Sequence, residues 1–168
     1  MSDSAITIVA IFLAAILMFV FPLMTMADKT DEVSTLAIQT ATTEFTNNVR
    51  TTGILTQENY DNFILTLAAT GNAYEAEITV QKLDENPAKK SSGATTTIGD
   101  NVYYTLYTTQ VLESLPLNLK EGDIISVSVT NTNKTIGEQL RNFMYKVTGN
   151  SSSTIAAQSS GIVTKTAN

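Results

Sequence analysis

No charged residue occurs between Asp3 and Asp28, and the stretch between them is Ile, Val, Leu, Ala, Phe and Met with a little Ser and Thr. As one helix at about 1.5 Å per residue, such a run spans a bilayer core of about 30 Å. A secretory signal has a basic n-region, a shorter apolar core and a small-residue cleavage site. Here Met-Ser-Asp-Ser precedes the run, and Met24-Thr25-Met26-Ala27 makes a poor cleavage site. A helix buried in a soluble protein would carry a polar stripe, which Ile6 to Met26 lacks. The segment is therefore expected to be a membrane or filament-core helix. Pro22 lies inside it, where a proline removes one backbone hydrogen bond and kinks the helix. In lipid the freed carbonyl needs a neighbouring helix or a hydroxyl, and Thr25 and Thr7 are the candidates.

The remainder of the 168 residues fits one domain of ordinary size, with a small core. There is no Cys, so no disulfide framework or thiolate metal site is expected. There is no His, which removes the commonest general base and zinc ligand. At a net charge of −6 the chain lacks the basic footprint of a nucleic-acid binder; its basic pair is Lys89-Lys90. Beside the membrane, Asp28, Asp31 and Glu32 outnumber Lys29, which disfavours attraction to anionic lipid.

No Gly occurs before Gly53, and Pro22 is the sole proline before Pro87, so the helix can continue past the membrane. Val33, Ala37, Ala41, Phe45 and Val49 recur every four residues, flanked by Leu36 and Ile38, with Thr35, Gln39, Thr42, Thr46 and Arg50 opposite. The spacing predicts one helix of about 45 residues, apolar all round in its first half and amphipathic in its second. Arg50 supplies a cation in its last turn and Gly53 a stop. Glu44 projects near the edge of the stripe, in water or against a cation of another subunit.

Thr56 is placed to cap a second helix with Tyr60, Phe63, Ile64 and Leu67 on one face, stopped by Gly71. Residues 73–83 alternate as a strand with Tyr74, Ala76, Ile78 and Val80 on one side. A loop rich in Pro, Lys, Ser and Gly occupies 84–100. Residues 102–111, Tyr- and Thr-rich, read as a strand. Glu121-Gly122-Asp123 reads as a turn before a strand with Ile125, Val127 and Val129 on one face. Thr135 and Glu138 form a capping box opening a helix with Ile136, Leu140, Phe143, Met144 and Val147 inward. Residues 154–166 read as a last strand, in which Gly161 would mark a bulge. The expected class is α+β: a long N-terminal helix, transmembrane then amphipathic, carrying a small antiparallel sheet as a head. Its parts are 1–27 (membrane or filament-core helix), 28–53 (amphipathic continuation) and 54–168 (head).

Several segments carry a further likeness. They are the apolar start Ala5-Ile-Thr-Ile-Val-Ala-Ile-Phe-Leu-Ala-Ala, Pro22, the run Val49-Arg-Thr-Thr-Gly53-Ile-Leu-Thr-Gln-Glu-Asn-Tyr60, and Leu119-Lys-Glu-Gly122-Asp123 before a Val-alternating strand. With the helix-then-sheet order they resemble type IV pilins, and more closely the short pilin-like or TadE-like proteins of Firmicutes. That resemblance implies a proline kink near Pro22, apolar half-helices bundled as a filament core, and a carboxylate pairing with the terminal amine of a neighbour. Ala5 stands where the family carries that Glu, and Asp3 is the nearest carboxylate. The implied subunit contacts are Asp3, Ile8, Phe12, Ile16, Phe19, Pro22, Val33, Ala37, Ala41, Glu44 and Phe45. Asp3 is otherwise a solvated residue at the membrane edge.

Tyr103, Tyr104 and Tyr107 are either cross-strand packing or an exposed row for surface contact. Glu75 and Glu77 share a strand face as solvated carboxylates do, and Asp84-Glu85-Asn86 reads as a polar turn with a faint calcium pattern. Asn133-Lys-Thr135 and Asn150-Ser-Ser152 match the glycosylation pattern. No cofactor, metal site or enzymatic constellation is expected. Three functions remain open. The first is a filament subunit whose partners are its own copies, membrane lipid before assembly, and pilus or secretion machinery. The second is a single-copy membrane-anchored minor pseudopilin or scaffold of a secretion or conjugation apparatus. The third is a membrane-tethered binding module presenting the 84–100 loop. A single-pass membrane location and an extracellular filament follow from the first.

Overall fold

The computed structural model describes residues 2–84, 103–145 and 155–167. The 85–100 part of the expected loop, Val147 and the Asn150 glycosylation pattern lie outside them, as do the side chains of Phe143 and Met144.

Helix α1 runs Ser2–Thr52 without interruption at Pro22. Gly53 ends it at φ +73°, its N–H donating to Val49 O at 2.8 Å. That φ strains any side chain, and a Cβ there would collide with the backbone of Lys165 to Ala167. The chain continues through β1 (Ile54–Leu55), α2 (Gln57–Ala68), β2 (Tyr74–Leu83), β3 (Tyr103–Leu106), α3 (Thr108–Glu113), β4 (Leu117–Asn118), β5 (Ile124–Asn131), α4 (Ile136–Tyr145) and β6 (Ala156–Ile162). The order β3-β2-β5-β6 makes a four-stranded sheet, antiparallel at every pairing, and β1 pairs with β4. A long helix with a small antiparallel head is thus the observed α+β layout.

Alternation on the sheet sets the core. Ile78 and Val80 of β2, Ile125, Val127 and Val129 of β5 and Ala157 of β6 face inward. The second half of α1 closes over them with Phe63 and Leu67 of α2, and the Phe45 and Phe63 rings stack with centroids 4.4 Å apart. Thr56 caps α2 by accepting from Asn59 N at 3.2 Å, and Gly71 follows at φ +81°.

The buried stripe of α1 differs from the one expected. It comprises Ser34, Ile38, Ala41, Thr42, Phe45, Thr46 and Val49, whereas Val33, Leu36 and Ala37 are exposed. A four-residue spacing overshoots a turn by about 40°, so Val33 and Val49 point about 160° apart and cannot share one face. Thr42 and Thr46 tolerate full burial because each hydroxyl donates to a carbonyl one turn back, Ile38 O at 2.6 Å and Thr42 O at 2.7 Å.

Four further expectations are corrected. The 102–111 strand is β3 followed by α3: Thr108 Oγ1 accepts from Ile78 N at 2.9 Å and donates to Ile78 O at 3.2 Å, doing with a side chain what the strand would have done with its backbone. Gly161 makes no bulge, since β6 keeps an unbroken register from Ala156 to Ile162 against β5. Its missing Cβ instead leaves room for the Arg50 guanidinium, whose Nε donates to Ile162 O at 2.9 Å. Ile136 points outward, 72 % exposed, while Leu140 is half-buried. The last strand spans Ala156–Ile162, shorter than 154–166.

Candidate functional site

Among the described residues, the apolar first half of α1 has no partner within the chain. It is long and apolar enough to cross a membrane, and none of that stretch is buried against the head. Ile8, Phe12, Phe19 and Met26 are all more than half exposed, and so is Val33, well past the apolar run. Phe12, Phe19, Met26 and Val33 follow one another at seven residues, a spacing that drifts only about 20° per step. Ile8 and Ala37 fall on that side and Ile16 at its edge, so one exposed apolar stripe runs out of the membrane-length segment as far as Ala37, beyond which the same side carries Thr40 and Glu44. An open groove of about 640 Å³ borders it, lined by Lys29, Thr30, Val33, Ser34 and Ala37 of α1 and by Thr66, Ala69 and Thr70.

The contact residues expected from sequence are divided by the fold. Asp3, Ile8, Phe12, Ile16, Phe19, Pro22, Val33, Ala37 and Glu44 are exposed. Ala41 and Phe45 are 7 % and 6 % exposed, packed into the head's own core where they line an open groove with Glu44 and Phe63. Thr7 Oγ1 donates to Asp3 O at 2.8 Å and Thr25 Oγ1 to Phe21 O at 3.0 Å. Neither hydroxyl takes the Met18 carbonyl, the one that Pro22 deprives of its donor.

The tyrosines form no single row. Tyr103 pairs with Leu83 on the outer sheet face, the neighbouring Tyr104 points to the opposite face, and Tyr107 precedes α3, its N–H donating to Gln110 Oε1 at 3.1 Å. Glu75 and Glu77 are exposed on the outer face. Asn133 is engaged in holding the α2–β2 connection, accepting from Ala73 N at 2.9 Å and donating to Asn72 Oδ1 at 3.2 Å. Among the described residues no group of three or more His, Cys, Asp or Glu side chains is placed to hold a metal. The buried Asp123 is occupied by Leu83 N at 3.0 Å and Lys120 N at 2.8 Å.

One cluster was missed by sequence reading. Arg141 of α4 reaches back to α1 and pairs with both Asp28 and Asp31, the latter at 2.9 Å. Thr135 Oγ1 donates to the same Asp31 oxygen at 2.9 Å and accepts from Glu138 N at 3.1 Å, so the α4 cap is also a tether. A Cβ on Gly137 would come within 2.5 Å of Asp31 and 3.5 Å of the Ala27 backbone, so glycine permits the approach. Arg141 Nε is buried with no acceptor among the described residues. The acidic excess expected beside the membrane is therefore halved by a residue more than a hundred positions away. The available signal was two carboxylates three apart, which share a helix face.

No family model, curated protein or solved structure matches this chain.

Proposed function

We propose that this chain is the structural subunit of a cell-surface filament, held in the membrane by the first half of α1 and polymerising through the exposed stripe of that helix. The stripe's continuation past Met26 carries the reading. Apolar side chains in lipid gain no hydrophobic energy by meeting one another, since lipid tails are equally apolar. Val33, Leu36 and Ala37 lie beyond the membrane-length segment and are exposed. Burying a Val or Leu side chain is worth roughly 1.5–3 kcal/mol, so a neighbour covering them gains energy on every subunit. Asp3, at the far end of the helix, is the carboxylate available to set register against a neighbour's cation, because a charge in an apolar bundle must be paired.

The test is electron microscopy of sheared cell-surface material, with mass spectrometry of its main small protein. Thin filaments built of this chain, lost on Asp3→Ala or Val33→Asp while the membrane pool stays folded, are the expected result. Absence of the chain from sheared material, with all of it in membranes, would replace the polymer with the single-copy anchored scaffold.

A further inference from the structure

We propose that the head does not stand off the bilayer on a free stalk but rests on it, with Ile136 inserted into the lipid interface beside α1. The argument rests on where α4 is fastened. Arg141, Thr135 and Gly137 fix the start of α4 against Ala27, Asp28 and Asp31, immediately where the apolar run ends. Ile136 therefore shares an open cleft of about 380 Å³ with Leu23, Met26 and Ala27, lined also by Gly71 and Asn72.

At about 1.5 Å per residue, Ile6 to Met26 covers about 30 Å, the thickness of a hydrocarbon core. Leu23 and Met26 then lie at its boundary, and a side chain level with them lies in the headgroup zone. Ile136 is 72 % exposed and Met26 67 % exposed, so the head sets one apolar side chain beside the end of the span, across a cleft whose lining also includes the polar Thr30, Asp31, Asn72 and Thr135. Among the described residues this isoleucine, which opens a turn continued by Gly137, Glu138 and Gln139, is left mostly uncovered, and the interface would solvate it. The nearby charges Lys29, Lys134 and Arg141 offset Asp28, Asp31, Glu32 and Glu138 to within one unit, so the contact is apolar and indifferent to lipid charge. It holds for the membrane-held chain whether or not that chain later polymerises.

The chain has no Trp and no Cys, so a single introduced residue reports alone. The full-length protein carrying Ile136→Trp is reconstituted in phosphatidylcholine vesicles, with and without phosphatidylcholine brominated near the headgroup end of its acyl chains. Met26→Trp reports the span. Ile162→Trp reports the far end of the head, beside Arg50, about 36 Å further along α1 than Met26. Expected are blue-shifted, strongly quenched emission for Ile136→Trp and Met26→Trp, and red, unquenched emission for Ile162→Trp. Because Trp itself favours interfaces, Ile136→Cys bearing a nitroxide is measured too, with relaxation by oxygen expected to exceed relaxation by a water-soluble nickel chelate. Quenching at position 26 but water-like behaviour of both position-136 variants would overturn the docked head while leaving the span intact. Water-like behaviour at position 26 would instead overturn the span, and the docking with it.

Discussion

Replacing Gly161 by alanine tests the fold's least expected packing contact by sign alone. Alanine in a strand interior is ordinarily better than glycine by about 0.5–1 kcal/mol, because glycine loses more backbone entropy on folding. Here the added Cβ falls on the Arg50 guanidinium, which must leave, giving up its Nε–Ile162 O bond of 2.9 Å and its 3.1 Å bond to Asn47 Oδ1. A hydrogen bond from a charged donor contributes about 1.5–3 kcal/mol, so Gly161→Ala should destabilise by about 1–2 kcal/mol net. In an Arg50→Ala background the clash is gone, and the same substitution should stabilise by about 0.5–1 kcal/mol. Urea unfolding of the full chain in detergent, followed by the β-sheet circular dichroism of the head, gives all four corners of the cycle. With m of roughly 1–3 kcal/mol per molar urea, the single variant should lower the midpoint by roughly 0.5–1 M. A neutral or stabilising Gly161→Ala, or effects that simply add in the double variant, would refute the Arg50 packing.

Two other outcomes follow from the core and the tether. Ile38→Ala should cost about 2–5 kcal/mol in the same assay, whereas Leu36→Ala should stay within about 0.5 kcal/mol; the reverse ranking would refute the buried arc that runs through Ile38. Arg141→Met leaves Asp31, with its side chain 13 % exposed, supported by Thr135 without its charge partner. The loss should be about 2–4 kcal/mol, short of a fully buried pair because Asp28 is 44 % exposed. Asp28→Asn alone should cost no more than about 1 kcal/mol, measured by thermal unfolding.

What the sequence by itself determined is local. Ser4 to Ala27 dictates an apolar helix because it holds no charge and, Pro22 apart, no helix breaker, and Gly53 ends α1 at a positive φ while Gly71 turns the chain after α2. Period-two alternation in β2 and β5 assigned inner and outer faces correctly, since a strand has just two. A helix has a continuous circumference, and the choice of buried arc belongs to what it packs against. The sheet and α2 selected Thr42 and Thr46 over Val33 and Ala37, a choice open because a threonine hydroxyl can be satisfied by its own helix. Likewise Thr108 ended β3 by bonding Ile78 thirty residues away, and Gly161 answered to Arg50 rather than to its own strand. Arg141, Asp28 and Asp31 show the same limit where the apolar run ends. Each is an ordinary charge along the chain, and only the antiparallel order β3-β2-β5-β6, which returns α4 to the start of the head, brings them together.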